Sequence, residues 1–241
     1  MENKRGSGIF LGVVSVATLV VAIIGATFAF FSTQTGSGNN AVNVGAYEFA
    51  TSVKSVDRIY PTTADEAKFT QGIIPLNAAT SVGDTTYLMR ALSADKKCID
   101  DKGYMVCVLY KVTLTNTSTI AAEMNLTVKT IKNVAGEGGS KFTDLTFQAL
   151  NGNEEAFTLN STAVTLLAEE GQSNDVNGVT ITADPAETTG VAKETVHYFV
   201  VYLNEASAET NQSSQMGAKY EGQLIYTTTT GGNTLTGTFA A

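Results

Sequence analysis

Tryptophan is absent from the 241-residue chain, proline occurs three times, cysteine twice and histidine once. The single histidine, His197, cannot supply the histidine pair that zinc peptidases commonly use, and no HExxH is present. No GxSxG elbow offers a nucleophilic serine. Basic clusters are missing too: 15 Lys and Arg stand against 23 Asp and Glu, for a net charge of −8. That balance argues against nucleic acid and against anionic membrane surfaces as partners. The most local absence is of charge from Ile9 to Ser32, IFLGVVSVATLVVAIIGATFAFFS, which follows the cations Lys4 and Arg5.

A basic start, a long apolar run and a small-residue exit describe an export signal. The chain after Ser32 therefore reads as made for the far side of a membrane. Three readings of the run compete. It is a signal peptide cut near Gly25-Ala26-Thr27-Phe28-Ala29, or a retained anchor, since about 20 apolar residues span a bilayer. Alternatively it is a pilin-like helix processed near Gly8, although Val13 and Val14 stand where a pilin carries an acidic residue.

The exit Gly25-Ala26-Thr27-Phe28-Ala29-Phe30-Phe31-Ser32 resembles the signal-peptide end of the TasA and camelysin family, secreted fibre-forming proteins of Gram-positive biofilm matrices. Where that family often has Asp after the Ser, this chain has Thr33. The resemblance implies cleavage between Ala29 and Phe30, giving a signal peptide over 1–29. It also implies assembly through an N-terminal donor strand that begins Phe30-Phe31. Residues 30–45, polar and rich in Gly and Asn, then read either as a flexible linker or as an aromatic hook on a leash. The runs Tyr110–Ser118 and Tyr220–Tyr226 resemble the same family more loosely. The implied partner is a second copy of the chain, together with other matrix or cell-surface components. Membrane contact is confined to the N-terminal segment before cleavage.

Residues 30–241 number 212, enough for one large β domain. Losing Glu2, Lys4 and Arg5 removes a net +1 and takes the charge from −8 to −9. Abundant Thr, Val, Tyr and Phe with Gly- and Asn-rich turns point to an all-β fold. The expectation is an immunoglobulin-like or jelly-roll β-sandwich of nine or ten strands over residues 46–241. No repeat of solenoid period is visible.

Strands are predicted over Tyr47–Val56, Asp84–Ala91, Tyr104–Thr115, Phe142–Leu150, Glu155–Leu159, Val179–Thr182, Glu194–Leu203, Tyr220–Thr229 and Asn233–Phe239. Met124, Leu126 and Val128 continue the period after an Asn116 turn. The clearest signal is Tyr104–Thr115, where Val106, Val108, Tyr110, Val112 and Leu114 share one face of a half-buried strand. Thr63-Ala64-Asp65-Glu66 has capping-box spacing and predicts a short helix. Gly72–Leu76 reads as a buried bend, Val134–Ser140 as a Gly-rich loop and Asn204–Ala218 as a long polar loop. Ser161–Glu170 fits a short helix or a strand. Asn151-Gly152 and Asn177-Gly178 predict hairpin turns.

Cys98 and Cys107 flank turn chemistry at Asp101-Lys102-Gly103, and an even cysteine count in an exported chain points to a disulfide across a hairpin. Their spacing matches neither a CxxC redox pair nor a zinc knuckle. Camelysin-like proteins are described as casein-cleaving metallopeptidases, which makes catalysis a question to ask of these residues. His197 reads as a sheet residue, while Glu154-Glu155 and Glu169-Glu170 read as solvated edges. Asp95, Asp100 and Asp101 lack EF-hand spacing and read as a polar turn. The sequons at Asn116, Asn125, Asn160 and Asn211 carry weight only in a eukaryotic secretory route. The sequence thus implies no catalytic residue, metal or cofactor.

Overall fold

Apolar residues at period two make the segment before Asn116 the spine of the molecule. In the structure, a computed structural model that describes residues 50–62, 72–77, 81–82, 85–205 and 212–241, this segment is β4 (Cys107–Asn116). It pairs on one side with β1 (Thr51–Tyr60) and on the other with β10 (Lys193–Leu203). The sheet continues through β6 (Leu145–Asn153) to β7 (Ala156–Leu159), and the two-residue β8 (Val164–Thr165) also pairs with β6. A second sheet runs β12 (Thr234–Ala240), β11 (Lys219–Thr228), β5 (Ala122–Val134), β9 (Ser173–Ala183). Every ladder in both sheets is antiparallel. The protein is an all-β sandwich, with ten strands in its two sheets among the described residues, at the upper end of the expected count. The chain changes sheet at β4 to β5, β5 to β6, β8 to β9, β9 to β10 and β10 to β11, which binds the layers together.

The core between the sheets is filled by alternate residues of each strand. Val108, Tyr110, Val112 and Leu114 from β4 meet Phe199 and Val201 from β10, and Leu126, Val128, Leu224 and Tyr226 from the other sheet. Its aromatic centre is Phe199, stacked on Tyr110 and on Phe147 at 4.8 Å each, with Phe239 edge-on at 5.1 Å. A second cluster covers the outer face of the first sheet. Leu109, Val200 and Tyr202 from the sheet pack there against Leu88, Leu92 and Val106. β4 is therefore buried on both faces through Leu109, not half-buried as its alternation suggests. Val106 belongs to this outer cluster rather than to the face of Val108, because it precedes the strand and bonds back to the Cys98 carbonyl.

Several other elements differ from the sequence reading. β1 begins at Thr51 and runs on to Tyr60, while Tyr47–Phe49 and the Thr63–Glu66 capping box lie outside the described residues. The expected strand over Asp84–Ala91 is only β3 (Thr85–Thr86), which pairs with β2 (Ser81–Val82) and leads into the one-turn helix α1 (Tyr87–Ala91). The Thr86 hydroxyl caps that helix by accepting from the Met89 N–H at 3.3 Å. Leu, Met, Arg and Ala favour helix, and buried Leu88, Ala91 and Leu92 fall at helical spacing. Over Ser161–Glu170 the structure forms β8 and no helix. Asn151-Gly152 lies inside the β6–β7 ladder, and the turn comes at Glu154-Glu155. There the Asn153 side chain accepts from the N–H groups of Glu155 and Ala156, so the Asn two residues on makes the turn. Asn177-Gly178 is a bulge within β9, not a turn between strands.

Candidate functional site

A subunit that takes up a neighbour's strand needs an edge able to receive one. Most sheet edges here are guarded in the ways that prevent such pairing. β1 has register shifts between Val53 and Ser55 and between Arg58 and Tyr60, and it carries Lys54, Asp57 and Arg58. Lys54 also pairs with Glu194 at 2.5 Å. β9 is bulged, and β7 is four residues long.

β12 has none of these guards. Its sequence, TLTGTFA, contains no charge and no proline, and it keeps continuous register with β11 over seven pairs. Tyr220 and Ala241 exchange both backbone bonds, at 2.7 and 2.8 Å. By alternation, Phe239, Gly237 and Leu235 then bond to β11, and the backbone groups of Thr234, Thr236, Thr238 and Ala240 face outward, where the Ala240 carbonyl is already taken by Tyr110 and Thr238 is also engaged. Leu235 and Phe239 are buried in the core, while the Thr side chains between them cover the outer face. Among the described residues β12 is the last strand of its sheet. Val56 of β1 lies over Gly237, and the Tyr110 hydroxyl donates to the Ala240 carbonyl, so the strand is anchored from behind. A groove of about 550 Å³ opens where β12 ends. Ile73, Met105 and Ala240 form its apolar wall, and Arg58, Lys132, Lys219 and Glu221 its charged rim.

The second feature is a cap over the outer hydrophobic cluster. Cys98 and Cys107 form the expected disulfide, with both cysteines fully buried. They flank a hairpin marked by the antiparallel Ile99–Met105 bridge. Asp100 accepts from the N–H groups of Lys102 and Tyr104 at 2.9 and 2.8 Å and shapes the turn. Asp101 bridges Lys96 and Arg90, the latter at 2.8 Å. The Lys96 hydrogen bond, with both nearby cations, holds the Asp101 carboxyl below its ordinary range. Among the described residues no group of three or more His, Cys, Asp or Glu side chains is placed to hold a metal ion.

Closing the short loop between the cysteines stabilises the fold by roughly 2.5–3 kcal/mol through chain entropy. The Cys98→Ala/Cys107→Ala variant is expected to melt roughly 5–12 °C lower by calorimetry. An unchanged midpoint would show that the outer cluster holds the cap without the covalent link.

His197 lies on the inner face of β10, and its Nε2 meets the Tyr226 hydroxyl of the opposite sheet at 3.0 Å. Burial pushes its pKa down to about 4 and pushes the Tyr226 hydroxyl well up, so the pair is neutral at ordinary pH. It works as an inter-sheet hydrogen bond, the sheet role expected of it. Glu154, at the β6–β7 turn, faces Lys111 at 3.4 Å, and Glu169 faces Lys141 at 3.5 Å. Asn116 is fully buried, its amide nitrogen donating to the carbonyls of Ile120 and Ala183.

Sequence reasoning missed the polar anchor of the loop before β11. Gln212 and Gln215, the latter in a short 3₁₀ turn (Ser213–Gln215), are buried and both donate to Asp144, at 3.1 and 2.7 Å. Burial opposes charge on Asp144, but these bonds and one from Thr143 outweigh it and keep its carboxyl below the usual range. The only signal in the sequence is a pair of glutamines three apart in a polar run. The residues expected to carry processing and assembly, Ala29, Phe30 and Phe31, lie outside the described residues. Neither protein-family models nor curated proteins gave a match to this chain.

Proposed function

We propose that the chain is the exported structural subunit of an extracellular matrix or surface fibre, joined head-to-tail when the N-terminal segment of one copy adds as a strand to the next. The observation that carries this reading is β12, which among the described residues is an uncharged, unbulged edge strand turning Thr234 and Thr236 outward, in a sandwich whose other long edges are guarded. Strand addition supplies backbone hydrogen bonds, with side-chain pockets setting the register. A contact between two different faces that does not close into a ring generates a filament. The charge-free Ile9–Ser32 run supports export, and the buried disulfide suits an oxidising compartment.

The test is the mass and N-terminal sequence of the protein recovered from culture supernatant and from cell envelope. The expected mature chain begins at Phe30. A Met1 start confined to the membrane would replace this reading with an anchored surface module. A start at Ile9 would replace it with a pilin-like filament built on the N-terminal helix.

A further inference from the structure

Two Asn-Gly pairs in this chain are equally exposed and sit in opposite backbone settings. Asn151-Gly152 is locked in the β6–β7 ladder, Asn151 opposite Thr158 and Gly152 opposite Phe157. The Ala156 carbonyl presses on Gly152 so closely that a Cβ there would lie 2.1 Å from its oxygen. Asn177-Gly178 is the tip of the β9 bulge. The ladder to β5 pairs Thr127 with Asp175 and resumes at Asn125 with Thr180, which leaves residues 176–179 opposite Leu126 alone. Val176 and Val179 are buried and hold the ends of the bulge, while Asn177 and Gly178 are exposed between them. Gly178 has a φ of +79° and open space where a Cβ would stand. The Asn177 amide has no hydrogen-bond partner among the described residues, and a groove of about 580 Å³ brings water alongside.

From this contrast we infer that Asn177 is a site of spontaneous, backbone-assisted deamidation and that Asn151 is not. The Gly178 backbone nitrogen attacks the Asn177 side-chain carbonyl carbon and loses its proton. The carbon–nitrogen bond of the side-chain amide breaks and ammonia leaves, closing a five-membered succinimide. Water then opens either carbonyl of that ring, giving aspartate or isoaspartate, and no oxidant or reductant is needed. Closure requires the peptide between the two residues to rotate. The bulge permits that rotation because its residues are outside the ladder, whereas at Asn151 two paired residues would have to open first. The product carries a new carboxylate two residues from Asp175, which already accepts from the Thr127 hydroxyl at 2.9 Å. The extra backbone atom of isoaspartate falls where register is already slack, so the fold survives the change. The bulge thereby gains negative charge with age on an edge that pairing must avoid.

The experiment is timed incubation of the purified full chain in mildly alkaline buffer, followed by peptide mass mapping of both sites. In the folded protein the mass gain of amide-to-acid conversion is expected at Asn177 at least about tenfold faster than at Asn151. In strong denaturant the two rates should converge, since both have glycine next. The N177S variant should lose the fast component and keep the slow one. Equal rates in the folded protein, faster change at Asn151, or conversion at neither site until denaturant is added would each overturn the assignment.

Discussion

Phe199→Ala is expected to remove about 3–5 kcal/mol of folding stability, the range for deleting a buried aromatic ring from a packed core. Phe199 is fully buried at the middle of β10, between Tyr110 on β4 and Ala149 on β6 in register. Its ring touches three others, Tyr110, Phe147 and Phe239, and these come from both sheets. Alanine would leave a void bounded by strands of two layers, and neither layer can collapse into it without breaking ladder bonds. Urea titration should show a lower midpoint with an unchanged slope. Ile120, 74% exposed beside the Asn116 turn, is the matched control, and Ile120→Ala should stay within about 0.5 kcal/mol of the parent. Comparable effects at the two sites would mean that the aromatic cluster does not hold the sheets together.

The sandwich was legible because its long strands alternate cleanly. β4 and the first half of β5 carry apolar residues at every second position, β11 and β12 keep that period with one glycine each, and β10, apolar at every residue from Tyr198 to Leu203, stands out by its Val and aromatic content. What escaped depended on tertiary burial or on a single side-chain bond. The outer face of β4 looked solvent-facing because Leu109 alternates with Lys111. The folding of residues 72–77 and 86–106 back over the sheet buries it. α1 is too short for its period to outweigh its strand-like preface, and its cap is a single threonine. Both Asn-Gly pairs signalled reversal correctly in local conformation, since Gly152 and Gly178 have positive φ, but neighbouring residues decided where reversal occurred. At the first pair the Asn153 side chain shifted the turn, and at the second the flanking valines stayed buried in the core.

The site was legible unevenly. The disulfide followed from cysteine count and turn residues. The β12 edge was visible as a strand but not as an edge, because strand order depends on which ladders form. Its lack of charge gains meaning only beside the bulged, charged β1.

In the proposed fibre, residues preceding the sandwich join one copy to the next. Deleting Phe30–Val44 removes none of the ten strands of the described residues, and the remaining domain is expected to keep its fold, disulfide and melting midpoint. Polymerisation should be lost. The decisive measurement is sedimentation and electron microscopy of this deletion beside the chain that starts at Phe30, at equal concentration. Fibres are expected from the longer protein and folded monomers from the shorter one. Fibres from both would contradict strand addition by the N-terminal segment.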